Sequence, residues 1–326
     1  MLLLAGDVGG TKTALAIVEG ATIVERKVYP SAAFPSLDAL VGDFLGPRGK
    51  GIARACFGVA GPVNDDDTCR TTNLHWVVDA RSLERSLGLP RVRLVNDFHA
   101  LATGISILPS SDFAVLNDAP SDPRGPWALL GAGTGLGEAL VVHAASGPEV
   151  IASEGGHADF APRNELEIEL LRFLLKRHKR VSYERILAGR GLVSLYDFLC
   201  GRSPESESAA VRAEIASSSG DAAPIISRHG LAGDDRLCAE VLSLFVSVYG
   251  AEAGNLALKV VSRGGVFVAG GIAPKILPKM LDGTFRSAFV SKGRLSPMLE
   301  AMPVKVVVNA DVGLLGAAEL ATHLAL

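Results

Sequence analysis

This 326-residue sequence has no excess of basic charge: its 32 lysines and arginines face 35 acidic residues for a net charge of −3. Nucleic acid and anionic membranes both need a dense basic surface, so neither is expected as a main partner. Cysteine is scarce and scattered: Cys56, Cys69, Cys200 and Cys238 form no C-x-x-C pair, which excludes the usual zinc and redox signatures. A chain this long can bury a large core without disulfide staples, so ordinary thiols are expected. No run reaches about 18 uninterrupted apolar residues. The apolar start, Met1 to Ala5, has no basic leader and meets Asp7 too soon for a signal peptide. A cytoplasmic protein is expected. Two nucleotide signatures are missing as well. There is no G-x-x-x-x-G-K-[ST] loop, and the glycines at 131, 133, 135 and 137 have the wrong spacing for G-x-G-x-x-G.

What is present is alternation. Residues 2–5 and 13–18 are β-rich and joined by a glycine turn, which predicts a hairpin. Residues 52–60 and 91–95 predict further strands, the second stopping at Asn96-Asp97 before a helical run through Leu108. Residues 127–131 and 138–143 flank a second glycine loop. Asn164 with Glu167 three residues on makes a capping box, followed by a stripe of Leu166, Leu170, Leu171 and Leu174. Residues 201–224 read as a solvated connection around a short helix, and 237–261 as a long apolar helix. Residues 265–269 predict a strand ending at Gly270-Gly271, and 304–308 a last strand before a helix of small residues. Strands and helices in alternation place the chain in the α/β class.

Three glycine turns thus emerge from apolar strands. Glycine there lets backbone N–H groups approach an anion and lets φ turn positive. Thr11 and Thr134 add hydroxyl donors, and Asp7 adds a carboxylate able to orient a hydrated Mg²⁺. Asp97 stands just past a strand's carboxyl end, the ligand-facing edge of an α/β sheet, where it suits the role of a proton acceptor. Asn96 beside it offers an amide donor and acceptor to two hydroxyls; the same pair also suits a helix N-cap. Glu154 and His157 flank Gly155-Gly156 and suit neighbouring hydroxyls better than a metal, since no second histidine is near.

Gly6-Asp7-Val8-Gly9-Gly10-Thr11-Lys12, Gly133-Thr134-Gly135-Leu136-Gly137 and Val268-Ala269-Gly270-Gly271-Ile272 resemble the two phosphate motifs and the adenosine motif of the actin-like sugar kinases. Between them Leu94-Val95-Asn96-Asp97-Phe98, the block from Glu154-Gly155-Gly156-His157 to Pro162, and the segment from Ser182 to Leu192 look like the bacterial glucokinase family. The likeness runs in order from Gly6 to Gly316. No cysteine lies between Glu154 and Cys200, which sets the chain apart from the related sugar kinases with a Cys-rich zinc element.

The resemblance implies an α/β, two-lobed actin-like ATPase (ribonuclease H-like) fold with a cleft, in which ATP and sugar meet. The small lobe would span 1–108 with 310–326 returning to it, and the large lobe 109–309. It implies ATP and Mg²⁺ as cofactors and phosphorylation of glucose to the 6-phosphate. Asn96, Asp97, Glu154, His157 and Glu184 would bind the sugar, with Asp97 as the base. Gly6, Asp7, Val8, Gly9, Gly10, Thr11, Gly133, Thr134, Gly270 and Gly271 would surround the nucleotide, with Asp7 helping to place Mg²⁺. Such kinases are often homodimers. Two other readings stay open: a kinase of the same superfold for another hexose or a small hydroxyl or acyl acceptor, and a non-catalytic ATP-gated regulatory protein. The first does not need Glu154, His157 and Glu184 unless its acceptor is a hexose. The second needs neither those residues nor Asp97.

Overall fold

The computed structural model describes residues 1–20, 22–46, 51–71, 74–145, 147–203, 206–218 and 220–324. The chain divides into two compact units, Met1–Asp112 with Asn309–Leu326, and Phe113–Val308. In chain order the first contains β1 (Leu2–Val8), β2 (Lys12–Glu19), β3 (Thr22–Pro30), α1 (Leu37–Leu45), β4 (Ile52–Val59), β5 (Thr68–Arg70), β6 (Val77–Asp79), α2 (Ala80–Leu87), β7 (Val92–Asn96) and α3 (Asp97–Ile107). The second begins with β8 (Phe113–Asn117), β9 (Trp127–Ala132), β10 (Leu136–Ala144) and β11 (Gly147–Ser153). Helices α4 (Glu165–Leu175), α5 (Gly189–Arg202), α6 (Ala209–Ser217), α7 (Ala223–Ala232) and α8 (Arg236–Val260) follow. The unit closes with β12 (Gly265–Ala269), α9 (Leu277–Leu281), α10 (Thr284–Val290), α11 (Ser296–Glu300) and β13 (Val304–Val307). The last helix, α12 (Val312–Thr322), belongs to the first unit.

The first unit is built on a five-stranded sheet in the order β3-β2-β1-β4-β7. Strands β1, β4 and β7 run parallel, so their carboxyl ends share one edge. One set of buried side chains, including Leu40, Phe44, Phe57 and Leu83, brings α1 and α2 against the sheet. Another, including Leu3, Ala5, Cys56, Val95, Leu314, Ala317 and Ala321, brings α3 and α12 against it. Those two helices touch backbone to backbone: a Cβ at Gly104 would overlap the Val312 carbonyl, and one at Gly316 the Ala100 carbonyl. The expected hairpin forms, but β1 runs through Val8. Gly6 and Asp7 are therefore strand residues and not part of the turn. Gly6 is small because a Cβ there would strike the Phe57 ring on the neighbouring strand.

The second unit carries a six-stranded sheet, β11-β10-β9-β12-β13-β8, with β9, β12 and β13 mutually parallel. The glycine loop between β9 and β10 is shorter than its sequence suggests, since Gly131 and Gly137 are paired across the ladder. Asn164 caps α4 by accepting from the Glu167 amide at 3.0 Å, while Glu167 reaches the Arg163 amide at 2.8 Å. The expected long apolar helix is α8, which is apolar enough for a membrane by composition, yet 78% of that window is buried within the protein. Its Gly250 and Gly254 admit α10, whose Phe285 and Phe289 carbonyls a Cβ would strike. In the expected 201–224 connection α6 forms; Pro204, Glu205 and Ser219 lie outside the described residues, as do Ala325 and Leu326 at the expected closing helix. All four thiols are free, and three are buried.

Candidate active site

In the first unit the shared carboxyl edge of β1, β4 and β7 gathers Asp7, the Gly9-Gly10-Thr11 turn, Asn96 and Asp97, because Asp7 is in register with Gly58 and Val59 with Asn96. The turn is closed by the Gly9 amide donating to the Lys12 carbonyl at 3.0 Å. Ser31 pins it from outside, its amide donating to Thr11 O at 3.0 Å and its hydroxyl to Gly9 O at 2.8 Å. Burial, then the nearby Asp311 charge, pushes the Asp7 carboxyl up to about 6. It lies beside the start of α12, where a Cβ on Gly313 would sit 3.3 Å from Asp7 Oδ2.

Asn96 caps α3: its oxygen accepts from the Phe98 amide at 3.0 Å and its amide donates to Gly61 O at 3.2 Å. The capping reading of the Asn-Asp pair therefore holds, and each end of the amide keeps one further valence for a ligand. Asp97 opens the helix, half-buried, with Oδ1 accepting from the Phe98 amide at 3.0 Å. A small Gly58 makes room for it, since a Cβ there would lie 3.4 Å from Asp97 Cα.

In the second unit the two remaining glycine turns meet at one edge, because β9 and β12 are parallel neighbours with Gly131 opposite Ala269. Gly270 is the one site glycine among them with positive φ, +81°, and a Cβ on it would lie 2.5 Å from Ala132 O. Among the described residues Gly133 and Gly271 have no neighbour, beyond those adjacent in the chain, within 4 Å of a Cβ, so their surfaces are open. The buried Tyr249 hydroxyl accepts from the Ala132 amide at 2.9 Å and donates to Ala269 O at 3.4 Å, fastening both strand ends.

The Glu154-Gly155-Gly156-His157 turn and the Tyr183–Arg185 turn come together in the same unit. His157 stands between two carboxylates, Nε2 3.9 Å from Glu154 and Nδ1 3.9 Å from Glu184. Their side chains are 51%, 76% and 31% exposed respectively, so all three reach solvent. Glu184 also accepts from the Leu136 amide at 3.1 Å and packs where a Cβ on Gly135 would be, which ties it to the second glycine turn. The Tyr183 amide donates to Ala158 O at 3.1 Å and the Phe160 amide to Val181 O at 3.0 Å, holding the two segments in register. Asp159 turns outward to Arg180 at 2.8 Å.

Sequence reasoning passed over two residues beneath this trio. Glu138 on β10 and Glu252 on α8 are buried acids, Glu138 against Gly155. The one local signal was a glutamate inside each of two apolar runs, which is costly unless partnered.

A family model described as Glucokinase matches residues 4–324 of the chain. The glucokinase of Nostoc punctiforme is 43% identical over 340 aligned residues, covering 99% of this chain and 99% of that protein. The crystal structure of glucokinase from an Antarctic psychrotroph covers 99% of both chains at 30% identity with a TM-score of 0.81. A ROK family glucokinase from Streptomyces griseus, solved in complex with glucose and AMPPNP, shares the fold at 22% identity and TM-score 0.70, over 99% of each chain. With sheet order, glycine turns and the Glu-His-Glu trio in place and near-complete coverage by these relatives, the chain belongs to the glucokinase family.

Proposed function

We infer that the enzyme moves the γ-phosphoryl group of ATP to the 6-hydroxyl of glucose with Asp97 as general base. The hydroxyl proton passes to the Asp97 carboxylate as the new O–P bond forms, the bond from the γ-phosphorus to the bridging oxygen breaks, and ADP leaves with that electron pair. Most of the remaining catalysis in phosphoryl transfer is positioning and charge neutralisation. Gly9, Gly10, Thr11, Gly133, Thr134, Gly270 and Gly271 surround the nucleotide. Asn96, Glu154, His157 and Glu184 take the sugar hydroxyls, the carboxylates accepting and the imidazole fixing direction. The two units serve as the two lobes, and four free thiols suit a cytoplasmic setting.

Asp7 fits a hydrated Mg²⁺. Its carboxyl is held where burial and the Asp311 charge make a lone carboxylate costly, and a divalent cation offsets both. When bound, the ion would neutralise charge on the phosphate oxygens.

One observation carries the sugar assignment: His157 is held between Glu154 and Glu184 at 3.9 Å from each, all three open to solvent. A glycerol or acyl acceptor has no use for such a row of hydroxyl partners. ADP formation should be measured against a panel of hexoses, glycerol and acetate, with glucose expected to be fastest. Turnover confined to a non-hexose acceptor would overturn the assignment.

A further inference from the structure

Glu138 and Glu252 are each 1% exposed. Among the described residues no donor lies within hydrogen-bond distance of either Glu138 oxygen or of Glu252 Oε1, while Glu252 Oε2 accepts from Asn255 Nδ2 at 2.9 Å. Glu252 lies close enough to Glu138 for its charge to act on it. Burial, and then the Glu252 charge, pushes Glu138 up to about 7, and burial raises Glu252 too. Glu138 touches the proposed sugar site directly: its Oε2 occupies the place of a Cβ on Gly155, beside Ser153, whose hydroxyl accepts from the Gly155 amide at 2.9 Å. Glu252 touches it through Asn255, whose Nδ2 donates both to Glu252 and, at 3.0 Å, to the hydroxyl of Tyr183, the neighbour of Glu184. The other charged or titratable groups around the pair are Lys259, whose charge acts on both acids, Tyr249 facing Glu138, and Lys292, itself facing Arg163. Lys292 donates to Asn255 Oδ1 at 2.6 Å and to Ala251 O at 3.0 Å.

We propose that Glu138 and Glu252 share one proton and act as positioning residues for the Glu154–His157 turn and for Glu184, so that glucose affinity falls when the pair ionises. The inference rests on the assignment of those three residues to the sugar. With the proton in place, one carboxyl donates to the other and fills an acceptor that nothing else reaches. Without it, two like charges stand side by side in a dry site. Gly155, a member of the turn, lies directly against the Glu138 carboxyl, where a Cβ would have no room. Repulsion is relieved there, and the turn that carries Glu154 and His157 shifts.

Glutamine at 138 keeps a donor at every pH, which makes Glu138→Gln the diagnostic variant. In the wild-type enzyme the glucose Kd, read by calorimetry, should rise roughly tenfold between about pH 6 and about pH 9 as the shared proton leaves. In Glu138→Gln it should stay flat. Amide exchange of the 153–158 segment, corrected for the intrinsic pH effect and measured without sugar, should lose protection over the same range in the wild type only. If Glu138→Gln does not fold, Glu252→Gln should flatten both readouts. A flat wild-type Kd, or a pH dependence that survives in the variant, overturns the inference and leaves the site assignment standing. A wild type that binds no glucose at about pH 6 overturns the site assignment instead. The exchange measurement then decides alone, and equal pH dependence in both proteins refutes the positioning role.

Discussion

Glu154 and Glu138 are one glycine apart in space and opposite in circumstance. Glu154 is 76% exposed beside His157; Glu138 is 1% exposed, with Gly155 over its carboxyl. The exposed acid holds water until a hydroxyl replaces it, so each contact it makes is an exchange worth only about 0.5–3 kcal/mol. The buried acid has no water to exchange, and its neighbours decide whether it is charged at all. On the proposed assignment identical side chains do different work: one meets the ligand, the other governs the shape of the loop that presents it. Asp97 and Asp7 repeat the contrast at the edge of the first unit's sheet, Asp97 at a helix start and Asp7 pushed up by burial and Asp311.

The contrast breaks most visibly if a group at the ligand-facing edge proves dispensable. Asp97→Asn should cut kcat by roughly 10²–10⁴, the range for a general base, while the glucose Kd moves little. Steady-state kinetics together with calorimetry check this, and near-wild-type kcat removes Asp97 from the chemistry. Glu154→Ala should weaken glucose binding by about tenfold or more, a loss of roughly 1.5–3 kcal/mol for a charged acceptor. Because a ligand stabilises by RT ln(1 + [L]/Kd), the melting shift at fixed glucose should shrink with it; equal shifts in both proteins would make the turn mere scaffold.

The buried side is sharpened by glycine substitutions. Gly155→Ala drives a methyl into the Glu138 carboxyl, and overpacking of that kind costs about 1–3 kcal/mol of stability. A further test concerns pH. Glu138 has its proton up to about 7 in the folded protein against 4.5 when unfolded, so between those values the folded state holds more protons. Stability should therefore fall as pH climbs through that window. Denaturant titrations at several pH values should show the slope reduced in Glu138→Gln, and an unchanged slope would place the titrating group elsewhere. Smallest of all, Gly133→Ala should alter the unfolding free energy by no more than about 0.5 kcal/mol, since nothing lies within 4 Å of the added methyl.

Local patterns made much of this legible. The run 265–269 is β12 to the residue, because an uninterrupted apolar stretch closed by two glycines has few alternatives. The Glu-Gly-Gly-His block pointed by itself to two members of the trio the structure brings together, Glu154 and His157, whereas Glu184 needed the family likeness. What stayed hidden depends on neighbours distant in the chain. Gly6 reads as a turn residue until Phe57 is seen against it on the adjacent strand. Glu138 and Glu252 come together only when β10 and α8 pack in one core, and no spacing rule links positions so far apart. Their burial is a tertiary fact, as is the fastening of two glycine turns by a single Tyr249 hydroxyl.

The return of α12 to the first unit bears on how the protein is made. The second unit is one continuous segment, Phe113–Val308, and is fully synthesised before Val312 leaves the ribosome. The first unit is not: until Leu314, Ala317 and Ala321 exist, the sheet face formed by Leu3, Ala5 and Val95 lacks the cover of α12. Domains fold as units during synthesis. Here the portion translated first is the last to be completed, and its exposed sheet face is the one a chaperone would need to shield.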